Sequence, residues 1–368
     1  MGKQKVGVIF GGKSSEHEVS LQSAKNIIEA IDRSMFEVVL IGIDKSGTWH
    51  LFEESSYLLH ANDPQLIRLN TPMAPVMLPF GDEGGQLRHD QTGEVLMKID
   101  VAFPIIHGTS GEDGRLQGVL RLANIPFVGP DVLSSAICMD KDIAKRLLNL
   151  ANIKVAKGLT FRRTELETIS YTDVSRELGT TLFIKPANQG SSVGVSKTTT
   201  KESFEAAITE AFKYDHKLVV EEAINGREIE CSVLGNEEPI VSLPGEILPQ
   251  TEFYSYESKY IDDDGADLQV PAKLSDELVE KVQQICLKAY QTLECEGLAR
   301  VDVFVTADDE VYVNEINTLP GFTKISMYPK LWEVSGLSYM DLVTRLIKLA
   351  LERNERDQWL KSSVVNGY

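Results

Sequence analysis

The stretch LARVDVFVTADDEVYVNEINTLPGF, residues 298–322, constrains the fold more tightly than any other part of the chain. Two runs rich in Val, Phe and Tyr flank the polar turn Ala307-Asp308-Asp309-Glu310, which reads as a β-hairpin. With the register set by that turn, Asp302 lies opposite Glu315 and Arg300 opposite Asn317. Side chains alternate faces along a strand, so these four share one face, with Phe304 and Val313 nearer the turn. Like charges directly opposite each other destabilise a sheet, so this face needs a cation between Asp302 and Glu315. Arg300 can supply it as a structural ion pair. Mg2+ can also supply it, because that hard ion is held by one or two carboxylates plus substrate phosphates. The hairpin alone leaves both open, and a charged face can also be merely solvated.

Upstream, apolar runs alternate with Gly-rich loops. An apolar run at 5–10 is followed by Gly11-Gly12, the loop KSSEHEVS, a helical pattern with Ala24, Ile27, Ile28 and Ile31 on one face, and a second run at 36–43. This is the βαβ unit of doubly wound α/β folds, whose ligands bind in the loops at the strand ends. Neither G-x-G-x-x-G nor a P-loop frame is present, so a dinucleotide is not indicated. Glu16 and His17 stand in this first loop, where Glu16 either meets a ligand or complements a helix N-terminus. Residues 47–93 are irregular and polar. A buried strand at 100–106 ends in HGTSGEDGRLQGVL, which places His107, Glu112 and Asp113 on the same rim as Glu16, and 125–128 completes the first domain.

Met139-Asp140-Lys141 opens a helix over 141–151, with Asp140 as N-cap. A strand, LFIKP, then carries Lys185 at its end. It leads through ANQGSSVGVS into a strand at 193–197, a loop type whose backbone N–H groups close on an anion or simply turn in solvent. A helix at 202–212, a strand ending in Glu221-Glu222, the strand REIECSVLG and a strand at 240–244 ending in Gly245-Glu246 follow. The polar, aromatic-dotted segment 253–265 is long for a passive connection and reads as a lid. A helix at 276–293 leads into the hairpin, a last helix spans 339–352, and the tail from 354 frays.

Composition narrows the partners. The 368 residues fit two or three domains, and 37 basic against 55 acidic residues give a net charge of -18. That balance argues against nucleic acid, so a phosphate ligand has to be held by a few lysines, backbone N–H groups and metal. The four cysteines form no zinc-like spacing and read as reduced core thiols. The N-terminus has too short an apolar run for a signal peptide, and no segment approaches a membrane helix. The chain is expected to be soluble and cytoplasmic.

GGKSSEHEVS, HGTSGEDG, MDK, FIKPANQGSSVGVS, GREIE, SKYIDDDG, RVDVF and NEINTLPGFT stand in this order along the chain. Any one of these motifs is weak, but the ordered set strongly resembles the D-alanine–D-alanine ligases of the ATP-grasp family, in particular the A-type enzymes of enteric bacteria. The resemblance implies an α/β ATP-grasp fold with an N-terminal Rossmann-like domain (1–130), a central small α/β subdomain (131–222) and a C-terminal subdomain (223–368). It implies ATP-dependent joining of two D-alanines through an acyl phosphate. Lys141, Lys185, Lys259 and the loop Gln189, Gly190, Ser191, Ser192 and Val193 would contact ATP. Glu221, Glu222 and Ile224 would meet adenine, and Glu228 the ribose. Asp302, Glu315 and Asn317 would hold two Mg2+ ions, with Mn2+ as a substitute. Glu16, Ser191, Tyr260, Arg300, Gly321 and Ser326 would form the catalytic set, with Glu16, His107, Ser326 and Met327 binding substrate. A homodimer with no nucleic-acid or membrane partner is implied as well. The rival readings are a D-alanine–D-lactate ligase, another ATP-grasp ligase, or a non-catalytic nucleotide-binding regulator.

Overall fold

The computed structural model describes residues 2–81, 84–249 and 266–360. The apolar runs around the first Gly-rich turn form β1 (Gln4–Gly11) and β2 (Phe36–Ile43), paired in parallel, with α1 (His17–Ala30) crossing between them. The stretch 47–93 is not irregular. It holds β3 (Trp49–Phe52), β4 (Leu58–Leu59), β5 (Arg68–Leu69), β6 (Ala74–Met77) and β7 (Gln86–His89), followed by β8 (Val95–Lys98). Strands β3, β6, β7 and β8 extend the sheet antiparallel beyond β2. Strands this short show too few alternations to stand out from their turns. β9 (Val101–Ile105) pairs on the other side of β1, and 125–128 adds only a bridge between Ala102 and Phe127. α2 (Arg115–Leu122) follows the loop that begins at His107.

Next come α3 (Val132–Met139) and α4 (Lys141–Leu150), and the Asp140 side chain caps α4 by accepting from the Ile143 N–H. Their apolar residues Cys138, Ala144 and Leu148 pack into the C-terminal core, with Val301 and Val313. The central sheet has β10 (Gly158–Arg162), β11 (Leu182–Pro186), β12 (Ser196–Thr198) and β13 (Lys217–Glu222), in the order β10-β13-β11-β12. α5 (Tyr171–Leu178) and α6 (Lys201–Ala211) cover it through Val174, Phe204 and Ile208. The strand expected from 193 starts only at Ser196. Ser191, Ser192 and Gly194 have φ of 48°, 60° and 70°, which no strand accommodates.

The C-terminal sheet is built from β14 (Gly226–Gly235), β15 (Ile240–Val241), β16 (Gly245–Pro249), β17 (Ala266–Gln269), β18 (Gly297–Thr306) and β19 (Val311–Asn317). Its order is β17-β16-β14-β18-β19, with β15 on β14, so Gly245 and Glu246 open a strand instead of ending one. α7 (Asp276–Thr292) buries Leu278, Val282, Cys286 and Ala289 against it. The hairpin register pairs Asp302 with Glu315 and Arg300 with Asn317, as expected, and then slips by one. Val303 pairs with Val313 and Phe304 with Tyr312, which makes Asn314 the extra residue of a β-bulge. Val313 therefore turns into the core, away from the face it was expected to share with Phe304.

α8 (Met327–Val334) and α9 (Tyr339–Gln358) complete the chain. Phe322, Tyr328, Trp332 and Leu346 share one core with Phe10, Ile27 and Phe103, so the C-terminal helices bind the N-terminal sheet to the C-terminal one. α9 stays helical past 354 because its last turns are pinned. Arg353 donates to Gly129 O at 2.6 Å, and Asp357 accepts from Arg121 at 2.8 Å. All four cysteines are buried free thiols. Among the described residues no helix is long and apolar enough to cross a membrane.

Candidate active site

A floor of alternating charges lies between the central and C-terminal sheets. Lys141, the first residue of α4, donates from Nζ to Gln189 O at 2.6 Å and stands 3.8 Å from Glu315 Oε2. Lys185 on β11 lies 2.8 Å from Glu221 Oε2 and 3.3 Å from Asn314 Oδ1. Lys145, one helical turn beyond Lys141, donates to the other Glu221 oxygen. Burial alone would raise the Glu221 carboxyl, but Lys145 and Lys185 override it and hold it at about 2. Burial pulls Lys185 down, yet Glu221, Glu315 and Glu228 more than offset this, and its pKa is raised. Lys145 is held down to about 8, chiefly by burial, with Lys185 and Lys141 adding to the effect against Glu221.

On the hairpin face Arg300 makes two 2.7 Å bonds to Asp302, and Asn317 Nδ2 donates to Asp302 Oδ2 at 2.9 Å. Arg300 Nε is also 3.1 Å from Glu230 Oε2, across the β14–β18 pair. The structural ion pair weighed for this face therefore exists, between Arg300 and Asp302. The Glu315 carboxylate lies within 3.8 Å of Lys141 Nζ. Among the described residues no three His, Cys, Asp or Glu side chains form a metal cluster by themselves. A Mg2+ site completed by substrate phosphates needs only one or two carboxylates, and Asp302, Glu315 and Asn317 fit that donor set.

The opposite rim is anionic. Glu16 occupies the N-cap position of α1, and its side chain makes no cap bond. It is buried and accepts a hydrogen bond from Ser191 Oγ. Gly108 has a φ of 72°, which favours glycine, and a Cβ there would sit 2.5 Å from Glu16 Oε2, so the loop after β9 runs close to this carboxylate. Ser191 and Ser192 have consecutive positive φ values of 48° and 60°, a costly arrangement for non-glycine residues. Val193 N donates to Gly190 O at 3.0 Å to close that turn.

His107 does not present a free ring nitrogen to this rim. Its Nδ1 lies 2.9 Å from Leu319 O, which can only accept, so Nε2 accepts from Ser23 Oγ at 3.0 Å. Burial pushes its pKa down and keeps the ring neutral. Glu112 takes N–H bonds from Gly108 at 3.0 Å and Leu319 at 3.2 Å. Its carboxyl is pushed up to about 8, first by burial and then by Glu16. Its residual surface lines a cavity of ≈ 20 Å³ shared with Lys141, Glu315 and Asn317.

A Cβ on Gly321 would come within 2.6 Å of Ser326 Oγ, so a larger residue here would have to turn the Ser326 hydroxyl aside. Ser326 opens α8, and the Met327 side chain packs on Ile247 and Leu331, which leaves its backbone at the helix end. Glu222 accepts from Lys157 N at 2.8 Å and stands with Ile224 at the β13–β14 connection. Glu228 shares the β14 face of Glu230, opposite Phe304. Lys259, Tyr260 and the expected lid lie outside the described residues. Sequence reasoning missed Lys145, Glu230 and Asn314. The first two had a signal, because Lys145 falls four residues after Lys141 on one helix face and Glu230 two after Glu228 on one strand face.

Family profiles match two parts of the chain, "D-ala D-ala ligase N-terminus" over residues 5–130 and "D-ala D-ala ligase C-terminus" over residues 147–348. The D-alanine--D-alanine ligase of Shouchella clausii is 63% identical over 364 residues, covering 99% of both chains. D-alanine--D-alanine ligase A of Escherichia coli K12 is 57% identical over 364 residues, covering 99% of this chain and 100% of that one. Among solved structures, the D-alanine-D-alanine ligase from Coxiella burnetii superposes with a TM-score of 0.82 at 39% identity, over 97% of this chain and 96% of that one. The VanG D-Ala:D-Ser ligase from Enterococcus faecalis gives 0.83 at 39%, over 95% and 100%.

Proposed function

The chain belongs to the D-alanine–D-alanine ligase family and is an ATP-dependent ligase of ATP-grasp fold that joins two D-alanines for peptidoglycan synthesis; we propose that the lysine floor and the Glu16 rim divide the reaction between them. ATP lies between the central and C-terminal sheets, its phosphates against Lys141 and Lys185 and beneath the 189–193 loop. Lys145 and Glu221 fix Lys185 from behind. Adenine rests on the β13–β14 connection at Glu222 and Ile224, beside the Glu221 backbone, and Glu228 takes the ribose hydroxyls. Asp302, Glu315 and Asn317 hold two Mg2+ ions, or Mn2+, which supply charge neutralisation at the phosphates.

Glu16 binds the ammonium of the first D-alanine and keeps that amine from acting as a nucleophile. The carboxylate attacks the γ-phosphorus, the bond to the β-phosphate oxygen breaks, and ADP leaves behind an acyl phosphate. Such a transfer needs mainly positioning and charge neutralisation, which Lys141 and Lys185 provide. The second D-alanine places its carboxylate at Ser326 and Met327, at the α8 N-terminus. Its amine, after losing a proton, attacks the acyl carbon, and Arg300 and the Gly321 N–H meet the oxyanion. Collapse forms the amide and expels phosphate. Ser191 links Glu16 to Tyr260, and the 253–265 loop with Lys259 closes over the site to keep water from the acyl phosphate. By likeness to its family the enzyme is a cytoplasmic homodimer.

The observation that carries this division is the 189–193 loop, which joins both halves. Gln189 O accepts from Lys141, and Ser191 donates to Glu16. Glu315→Gln tests it, removing a charge with little change of volume. Turnover at saturating Mg2+ should fall about a hundredfold or more while the fold persists. Near-normal turnover would remove Glu315 from the site.

A further inference from the structure

We propose that Ser23, Asn26, His107 and Glu112 are positioning residues for the peptide-forming step, because together they clamp the two backbone units on either side of Gly321 and thereby aim its N–H. Leu319 is held at both polar ends, its N–H by Glu112 at 3.2 Å and its carbonyl by His107 Nδ1 at 2.9 Å. Phe322 is held the same way. Its N–H goes to Ser23 Oγ at 3.2 Å, and its carbonyl accepts from Asn26 Nδ2 at 3.0 Å and from the Tyr339 hydroxyl at 2.7 Å.

Between these fixed points stand only Pro320, which has no N–H, and Gly321, whose N–H has no partner among the described residues. The clamp thus leaves a single donor in the span. Four of the five groups that hold it come from the N-terminal part, from α1 and the loop after β9, roughly two hundred residues or more away in sequence. Ser23 is fully buried, and by donating to His107 Nε2 it keeps a lone pair for the Phe322 N–H, so the two sides of the clamp are coupled. The N-terminal domain therefore does more than bind the first substrate. An oxyanion donor acts only if it is aimed before charge develops, and a misplacement of about 1 Å can cost a hundredfold.

This inference rests on the ligase reading, and it separates the two chemical steps. Phosphoryl transfer takes place over the lysine floor and does not use the Gly321 N–H, whereas amide formation does. Single turnovers of Ser23→Ala and Asn26→Ala with γ-labelled ATP and D-alanine, quenched rapidly, give both rates. Acyl phosphate is trapped as the hydroxamate and the dipeptide is counted in the same samples. In Ser23→Ala, acyl phosphate should form at the parent rate and accumulate while dipeptide appears about ten- to a hundredfold more slowly. Asn26→Ala, which loses one of two donors to Phe322 O at a half-buried site, should show the same split more weakly, and it decides the question if Ser23→Ala does not fold. Equal slowing of both steps, or a lowered melting temperature with the step ratio unchanged, would make the clamp a merely structural contact. A parent enzyme that forms no acyl phosphate would overturn the ligase reading itself, and the clamp with it.

Discussion

Glu221 and Glu112 are both enclosed carboxylates, yet their acidities are displaced in opposite directions. Glu221 lies between Lys145 and Lys185 and is held at about 2, whereas Glu112, buried and facing Glu16, is pushed up to about 8 against the pull of two backbone N–H groups and Arg300. Burial raises both, so the neighbours decide the outcome. In the proposed reaction each side of the cleft faces a different substrate. The floor sets Lys141, Lys145 and Lys185 against Glu221 and Glu315, which leaves one positive charge over for phosphates; on the rim Glu112 stays protonated below about 8, which leaves Glu16 as the carboxylate for an ammonium. In a chain of net charge -18, the general field repels ATP, so the local lysines have to overcome it.

The most forceful way to break this contrast is Glu221→Gln. It strands two buried ammonium groups and should destabilise the fold by about 3–5 kcal/mol, read by urea unfolding at neutral pH. Because the Glu221 pKa is lowered from 4.5 to about 2, its contribution is present above pH 4.5 and is lost as pH falls through about 2. The gap between parent and variant should therefore close in acid. A gap independent of pH would mean that the lysines do not depend on this carboxylate.

Glu112→Gln sharpens the other side and should have a smaller effect on stability. The Glu112 pKa is raised from 4.5 to about 8, so its contribution is full below pH 4.5 and is lost as pH rises through about 8. Relative to the parent, the variant should gain melting temperature between those two values while losing turnover, since it disturbs the hold on Leu319. A constant difference across that range would show that Glu112 is not held protonated.

The hairpin was legible because its period of two and its turn length fix which residues face each other, and the pairs Asp302–Glu315 and Arg300–Asn317 stand as expected. The bulge at Asn314 was not legible. One added residue leaves the alternation plausible in either register, and only the packed core shows that Val313 points inward. Spacing could place Lys145 on the helix face of Lys141 and Glu230 on the strand face of Glu228, but not their partners, because a lysine on a helix carries no mark of the carboxylate it will meet from another sheet. Strands β3 to β8 were hidden by their brevity, and the end of α9 by partners such as Arg121 that lie far away in sequence. The role of Glu16 was open between helix complement and ligand contact. Its hydrogen bond from Ser191, across the cleft, settles where the side chain points.

The central claim is that one chain couples ATP cleavage to the joining of two D-alanines. The direct measurement counts ADP, phosphate and dipeptide together, with ATP and Mg2+ present and either D-alanine or L-alanine supplied. One ADP and one phosphate should appear for each D-alanyl-D-alanine formed, with only background release when L-alanine is supplied. Equal release with L-alanine, or ADP formed without dipeptide, would contradict it.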